Sequence, residues 1–129
     1  MQGHYHAAVW IDHRQARVLH FNADVYDSQV LHPAHSHAHG HEPKRDGQRP
    51  KEDQAYLESV TQAVADAGAI LVLGPSNEKA ELIKHIEKKH PGMRGKIEAV
   101  EPADHLSDGE IVAHARHVLK SADRMMPQV

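Results

Sequence analysis

The sequence predicts an α/β fold: a mixed sheet with helices packed on it, in the element order βββαβαβα. Three observations carry that prediction. Up to Leu31 the apolar residues alternate or run together at strand length, broken by two polar turns. From about Glu52 the apolar spacing changes to that of amphipathic helices. Between the first two helical stretches, Ala69-Ile70-Leu71-Val72-Leu73 is apolar throughout, as a strand covered on both faces requires.

Ala7-Ala8-Val9-Trp10-Ile11 reads as a buried strand, closed by the polar Asp12-His13-Arg14-Gln15. Ala16-Arg17-Val18-Leu19-His20-Phe21 alternates and forms its antiparallel partner, so the pair is a hairpin. Asn22-Ala23-Asp24 turns the chain into a third strand over Val25 to Leu31, and the His-, Pro-, Gly- and charge-rich run that follows is a loop. Leu57, Val60, Val64 and Ala67 share one stripe of the first helix, which Gly68 stops. After the central strand Ala69–Leu73, Gly74-Pro75-Ser76 leads into a second helix, with Ser76 as N-cap and Ala80, Ile83 and Ile86 as its buried stripe. Pro91-Gly92 ends that helix, and Lys96 to Val100 is a short strand. Ser107 and Glu110 have the spacing of a capping box and open a third helix that buries Ile111, Ala115, Val118 and Leu119. This element order is the layout of ribonuclease-H-like folds, an analogy that assigns no function by itself.

With 129 residues the chain is long enough for one domain, 1–129, with the His-rich loop 32–51 inserted after the third strand. Aromatic residues make up only 4%, so the core must be Val, Ile, Leu and Ala. A formal net charge of −3 argues against a strongly basic nucleic-acid module, and no DNA partner is expected. The absence of cysteine excludes disulfides, thiolate zinc sites and a cysteine nucleophile. The first residues, Met1-Gln2-Gly3-His4-Tyr5-His6, lack the pattern of a signal peptide, and no apolar run is long enough to span a bilayer. A cytoplasmic protein is expected.

The stretch Ile70-Leu71-Val72-Leu73-Gly74-Pro75-Ser76-Asn77-Glu78-Lys79-Ala80-Glu81-Leu82 resembles a recurring segment of the archaeo-eukaryotic peptide-chain release factors and the Pelota ribosome-rescue proteins. Val9-Trp10-Ile11-Asp12-His13-Arg14-Gln15-Ala16-Arg17-Val18 is similar to the first hairpin of their middle domain. The whole chain resembles that one domain, and more specifically small bacterial release-factor-like proteins labelled as translational machinery. The resemblance implies a ribonuclease-H-like fold and a partner in the ribosome or tRNA. In the release factors, the loop between the third strand and the following helix carries Gly-Gly-Gln. Here it carries Asp46-Gly47-Gln48-Arg49, so Gly47 and Gln48 match and Asp46 replaces the first glycine. That change adds bulk and negative charge where a glycine would permit close backbone approach. Gln48 with Gly47 is therefore a weak catalytic candidate; peptidyl-tRNA hydrolysis is not expected and no cofactor is required. A chain of this length is not expected to hold a codon-reading domain as well, so a stop-codon release factor is not expected.

The loop also carries the two other candidate sites. Lys44, Arg45, Arg49 and Lys51 form a basic cluster suited to RNA phosphates. His32, His35, His37, His39 and His41 alternate with small residues, and two or three imidazoles on such a tract can close on one Zn²⁺ or Ni²⁺ ion. His-rich tracts capture metals by composition alone, so divalent-metal binding is the competing reading from a different functional class. His114 and His117, three apart, share a helix face and read as half-exposed surface residues. A second basic group, Lys84, Lys88, Lys89, Arg94 and Lys96, is interleaved with Glu81, Glu87 and Glu98 and reads as a solvated surface. A two-metal nuclease needs converging carboxylates, and the central strand runs into Gly74-Pro75 with no acid.

Overall fold

The computed structural model describes residues 6–34 and 51–125. Strand β1 (His6–Ile11) pairs antiparallel with β2 (Ala16–Phe21), which pairs antiparallel with β3 (Tyr26–Leu31). Helix α1 (Lys51–Ala63) leads to β4 (Ile70–Gly74), parallel to β1. Helix α2 (Glu78–Lys89) and a 3₁₀ segment (Pro91–Lys96) lead to β5 (Ile97–Pro102), parallel to β4, and α3 (Asp108–Met125) follows. The sheet order is β3-β2-β1-β4-β5, so β4 is an interior strand and the fully apolar run is paired on both sides, as its composition required.

Alternation along β1 divides the core in two. Ala7, Val9 and Ile11 face a layer made by Leu57 and Val60 of α1 and Val64 just after it, with Leu82 and Ile86 of α2. Ala8 and Trp10 face the opposite layer, where α3 contributes Ile111, Val112, Ala115 and Leu119. Covering both faces is what makes β1 and β4 uniformly apolar. Gly74 has a steric reason: a Cβ there would collide with the Ile11 carbonyl oxygen on the adjoining strand.

The expected capping box forms. Ser107 N–H donates to Glu110 Oε1 at 2.8 Å and Glu110 N–H donates to Ser107 Oγ at 3.1 Å. Asp108 also anchors α3 to the sheet, lying 3.2 Å from the Arg17 guanidinium and accepting from Ser28 Oγ at 3.0 Å.

Three local expectations are corrected. Helix α1 stops at Ala63 rather than at Gly68. Its last turn tightens, with Val64, Ala65 and Ala67 N–H groups bonded three residues back, and the freed carbonyls find distant partners. Lys96 Nζ donates to Ala65 O at 2.7 Å, and His20 Nε2 lies 2.8 Å from Ala63 O. Val64 and Ala67 remain buried despite the early stop. The N-cap of α2 is Asn77, not Ser76, and it makes no side-chain capping bond because its own backbone is already helical. The buried stripe of α2 is Glu78, Leu82 and Ile86, four residues apart, while Ala80 and Ile83 are only half-buried.

Candidate functional site

β1, β4 and β5 are parallel to one another, and their carboxyl ends form one rim of the sheet. Open α/β sheets bind ligands at such rims. Ile11, Ala16 and Leu31 are in register across β1, β2 and β3, so β3 leaves the sheet at this same rim. α1 re-enters beside it, because the Tyr56 hydroxyl donates to the Asp12 carbonyl at 2.9 Å. The described chain therefore leaves the sheet after β3 and resumes with α1 at the same rim.

The rim is polar and aromatic. Asp12 Oδ1 accepts from the N–H groups of Arg14 and Gln15, at 2.8 and 2.9 Å, which fixes the hairpin turn. That role explains an acid at the end of the first strand without metal chemistry. The His105 ring stacks on Trp10 with centroids 4.7 Å apart, and its Nε2 is 4.0 Å from Asp12 Oδ2. Trp10 Nε1 donates to Asp104 O at 2.9 Å, which holds the indole at the rim. Exposed His13 lies 3.6 Å from the buried Glu78 carboxylate. Burial pushes the Tyr56 phenol well above its ordinary pKa, and the nearby Glu78, Asp12 and Asp53 charges add to the effect.

Of the residues singled out in the sequence, His32 stands exposed beside the hairpin turn, its Nδ1 3.4 Å from Arg14 O. Lys51 opens α1. His35, His37, His39, His41, Lys44, Arg45, Gly47, Gln48 and Arg49 lie outside the described residues. The second basic group is largely engaged on the surface: Arg94 pairs with Glu87 at 3.1 Å, Lys84 with Glu81 at 3.7 Å, and Lys96 caps α1. His114 is 2.7 Å from Glu101, and His117 is exposed.

A further constellation lies in the layer of α1 and α2. Glu58 on α1 faces His85 on α2 and His90, the residue that ends α2. His85 Nε2 is 2.7 Å from Glu58 Oε1, and His90 Nε2 is 2.8 Å from the same oxygen and 3.0 Å from Oε2. Gln62, one turn further along α1, donates to Oε2 at 2.8 Å. The bonds from His85 and Gln62, reinforced by His90, hold the Glu58 carboxyl down to about 2. Among the described residues this is the one group of three such side chains whose ligand atoms lie within 4.8 Å of one another. Sequence reasoning missed it. His85 and His90 are five apart and lie on no common helical spacing, and Glu58 comes from another helix.

No protein-family model matches the chain, and no curated protein matches it in sequence. Solved structures do match in fold. Archaeoglobus fulgidus Pelota superposes with a TM-score of 0.64 at 11% identity, over 93% of this chain and 33% of that one. Dom34 of S. cerevisiae, described as a translation termination-like factor involved in RNA quality control and interacting with Hbs1, gives 0.55 at 11% identity, over 93% and 37%. An archaeal translation termination factor gives 0.52 at 13% identity, over 94% and 39%. The fold is thus that of one part of the Pelota and termination-factor structures, and the chain spans little more than a third of their length. Among the described residues, no helix is long and apolar enough to cross a membrane.

Proposed function

We propose that this chain is a ribosome-associated cytoplasmic factor of the translation or ribosome-rescue type. It binds ribosomal RNA or tRNA through the 32–51 segment, without catalysing a reaction itself. The observation that supports this most is the fold: a sheet built like those of Pelota and Dom34, with β3 ending and α1 beginning at its carboxyl rim. Lys44, Arg45, Arg49 and Lys51 supply the cations, and RNA phosphates are their natural partners. Co-sedimentation with ribosomes across a salt series tests the reading. Binding is expected at low salt and to fall as salt rises. Replacing the four cations by Ala is expected to flatten the log–log salt slope by up to about 3.6, since each lost phosphate contact removes about 0.7 to 0.9. No pelleting at low salt, or an unchanged slope in the variant, overturns it.

The alternating spacing of His32, His35, His37, His39 and His41 favours a second reading, a divalent-metal-binding protein on an α/β scaffold. In that case one or two equivalents of Zn²⁺ or Ni²⁺ bind to the tract, and His35→Ala, His37→Ala and His39→Ala together abolish most of that binding. Ribosome pelleting that is unchanged by chelator separates the first reading from the second.

A further inference from the structure

Neither reading uses Glu58, His85 and His90. We infer that these three side chains form a binding site for one borderline divalent cation, Zn²⁺ foremost, that staples α1 to the end of α2. Two imidazoles and one carboxylate are the donor set of zinc sites that keep a fourth position for water. The same set disfavours Mg²⁺ and Ca²⁺, which require oxygen ligands. Both rings present Nε2, and both nitrogens, from α2 and its C-terminal cap, converge on one carboxylate from α1. By contrast, the close contact of His114 with Glu101 brings a single ring to its acid.

The surroundings suit an ion as well as the ligands do. The side chain of His85 is only 8% exposed, whereas His90 and Glu58 are 29% and 39% exposed, so the group is walled on one side and open on the other. Gln62 orients Glu58 from outside the ligand set, as outer partners do in metal sites. The backbone of His90 is held at both ends: its N–H donates to Ile86 O at 2.7 Å, and its carbonyl accepts from Met93 N–H at 2.9 Å. Ligand atoms on a tetrahedral Zn²⁺ stand about 3.3 Å apart. The observed nitrogen–oxygen separations of 2.7 to 3.0 Å need to open only by a few tenths of an ångström, a small rotation of the two exposed side chains.

The test uses the full chain carrying His32→Ala, His35→Ala, His37→Ala, His39→Ala and His41→Ala, so that the tract does not report. Calorimetry with ZnCl₂ is expected to show one equivalent bound at micromolar strength or tighter, and Co²⁺ to give the visible absorption of a low-coordinate site. Zn²⁺ should also raise the melting temperature, because the ion binds the folded state. MgCl₂ should do neither. Loss of an outer partner already costs about 10–100-fold in affinity. His90→Ala or Glu58→Gln is therefore expected to weaken binding at least about tenfold and to cancel the rise in melting temperature. Both residues are partly exposed, so these variants carry the test even if His85→Ala fails to fold. No binding in the tract-free chain, or binding that both variants leave unchanged, overturns the site. Neither result bears on ribosome association.

Discussion

At Glu58, His85, Gln62 and His90 bear on a single carboxylate, and they hold its carboxyl well below the usual range, at about 2. A carboxyl whose pKa is lower in the folded than in the unfolded chain stabilises the fold above the unfolded value. That contribution is lost as pH falls through the folded value. The window for Glu58 is therefore between about 4.5 and about 2. Because the side chain is 39% exposed, solvent screens the gain, and the effect on stability should be small but measurable. In metal-free buffer, the stability difference between the native protein and Glu58→Gln is expected to shrink as pH is lowered across that window. An NMR titration of the Glu58 side-chain carbon should place its midpoint near the lower end. A midpoint at the ordinary carboxylate value would remove the interaction.

Capping at the ends of the helices shows what a sequence can and cannot reveal about element boundaries. The start of α3 was legible because Ser107 and Glu110 satisfy each other's amides within four residues. Ser107→Ala removes the acceptor for the Glu110 N–H and is expected to cost about 1 kcal/mol in chemical denaturation. In a double-mutant cycle with Glu110→Ala, the two changes should be non-additive, since each residue bonds the other's backbone. Additive losses would mean that the two bonds act independently. The end of α1 was not legible, because its last carbonyls are served by His20 and Lys96, 43 and 31 residues away. The stripe of α2 was misphased for a related reason. Tertiary packing buries the charged Glu78 and leaves the apolar Ile83 half-exposed, which no hydrophobic period predicts. Strand pairing was the most legible feature, since alternation in β2 and the continuous apolar run of β4 each have one structural explanation. The candidate metal site shows the opposite limit: its three residues become neighbours only when α1 packs on α2.

At the scale of the whole molecule the two candidate sites share one element, since α1 begins at Lys51 and carries Glu58 about two turns on. The 32–51 segment, proposed to bind RNA, follows β3, which ends at the carboxyl rim of the sheet, while Glu58, His85 and His90 meet in the helical layer of α1 and α2. α3 covers the other face and carries neither. Structures that share this fold include an archaeal translation termination factor. Gly47-Gln48 matches the last two positions of the release factors' Gly-Gly-Gln, yet Asp46 stands where the first glycine would be. If that loop binds RNA as proposed, an aspartate there adds a negative charge that phosphates repel and lacks the conformational range of glycine. The native protein is therefore expected to bind ribosomes without releasing peptide from peptidyl-tRNA, and Gln48→Ala to leave binding unchanged. Release assayed on ribosomes loaded with labelled peptidyl-tRNA decides the matter. Cleavage by the native protein that disappears in Gln48→Ala would make the chain a hydrolase, with Gln48 positioning the attacking water.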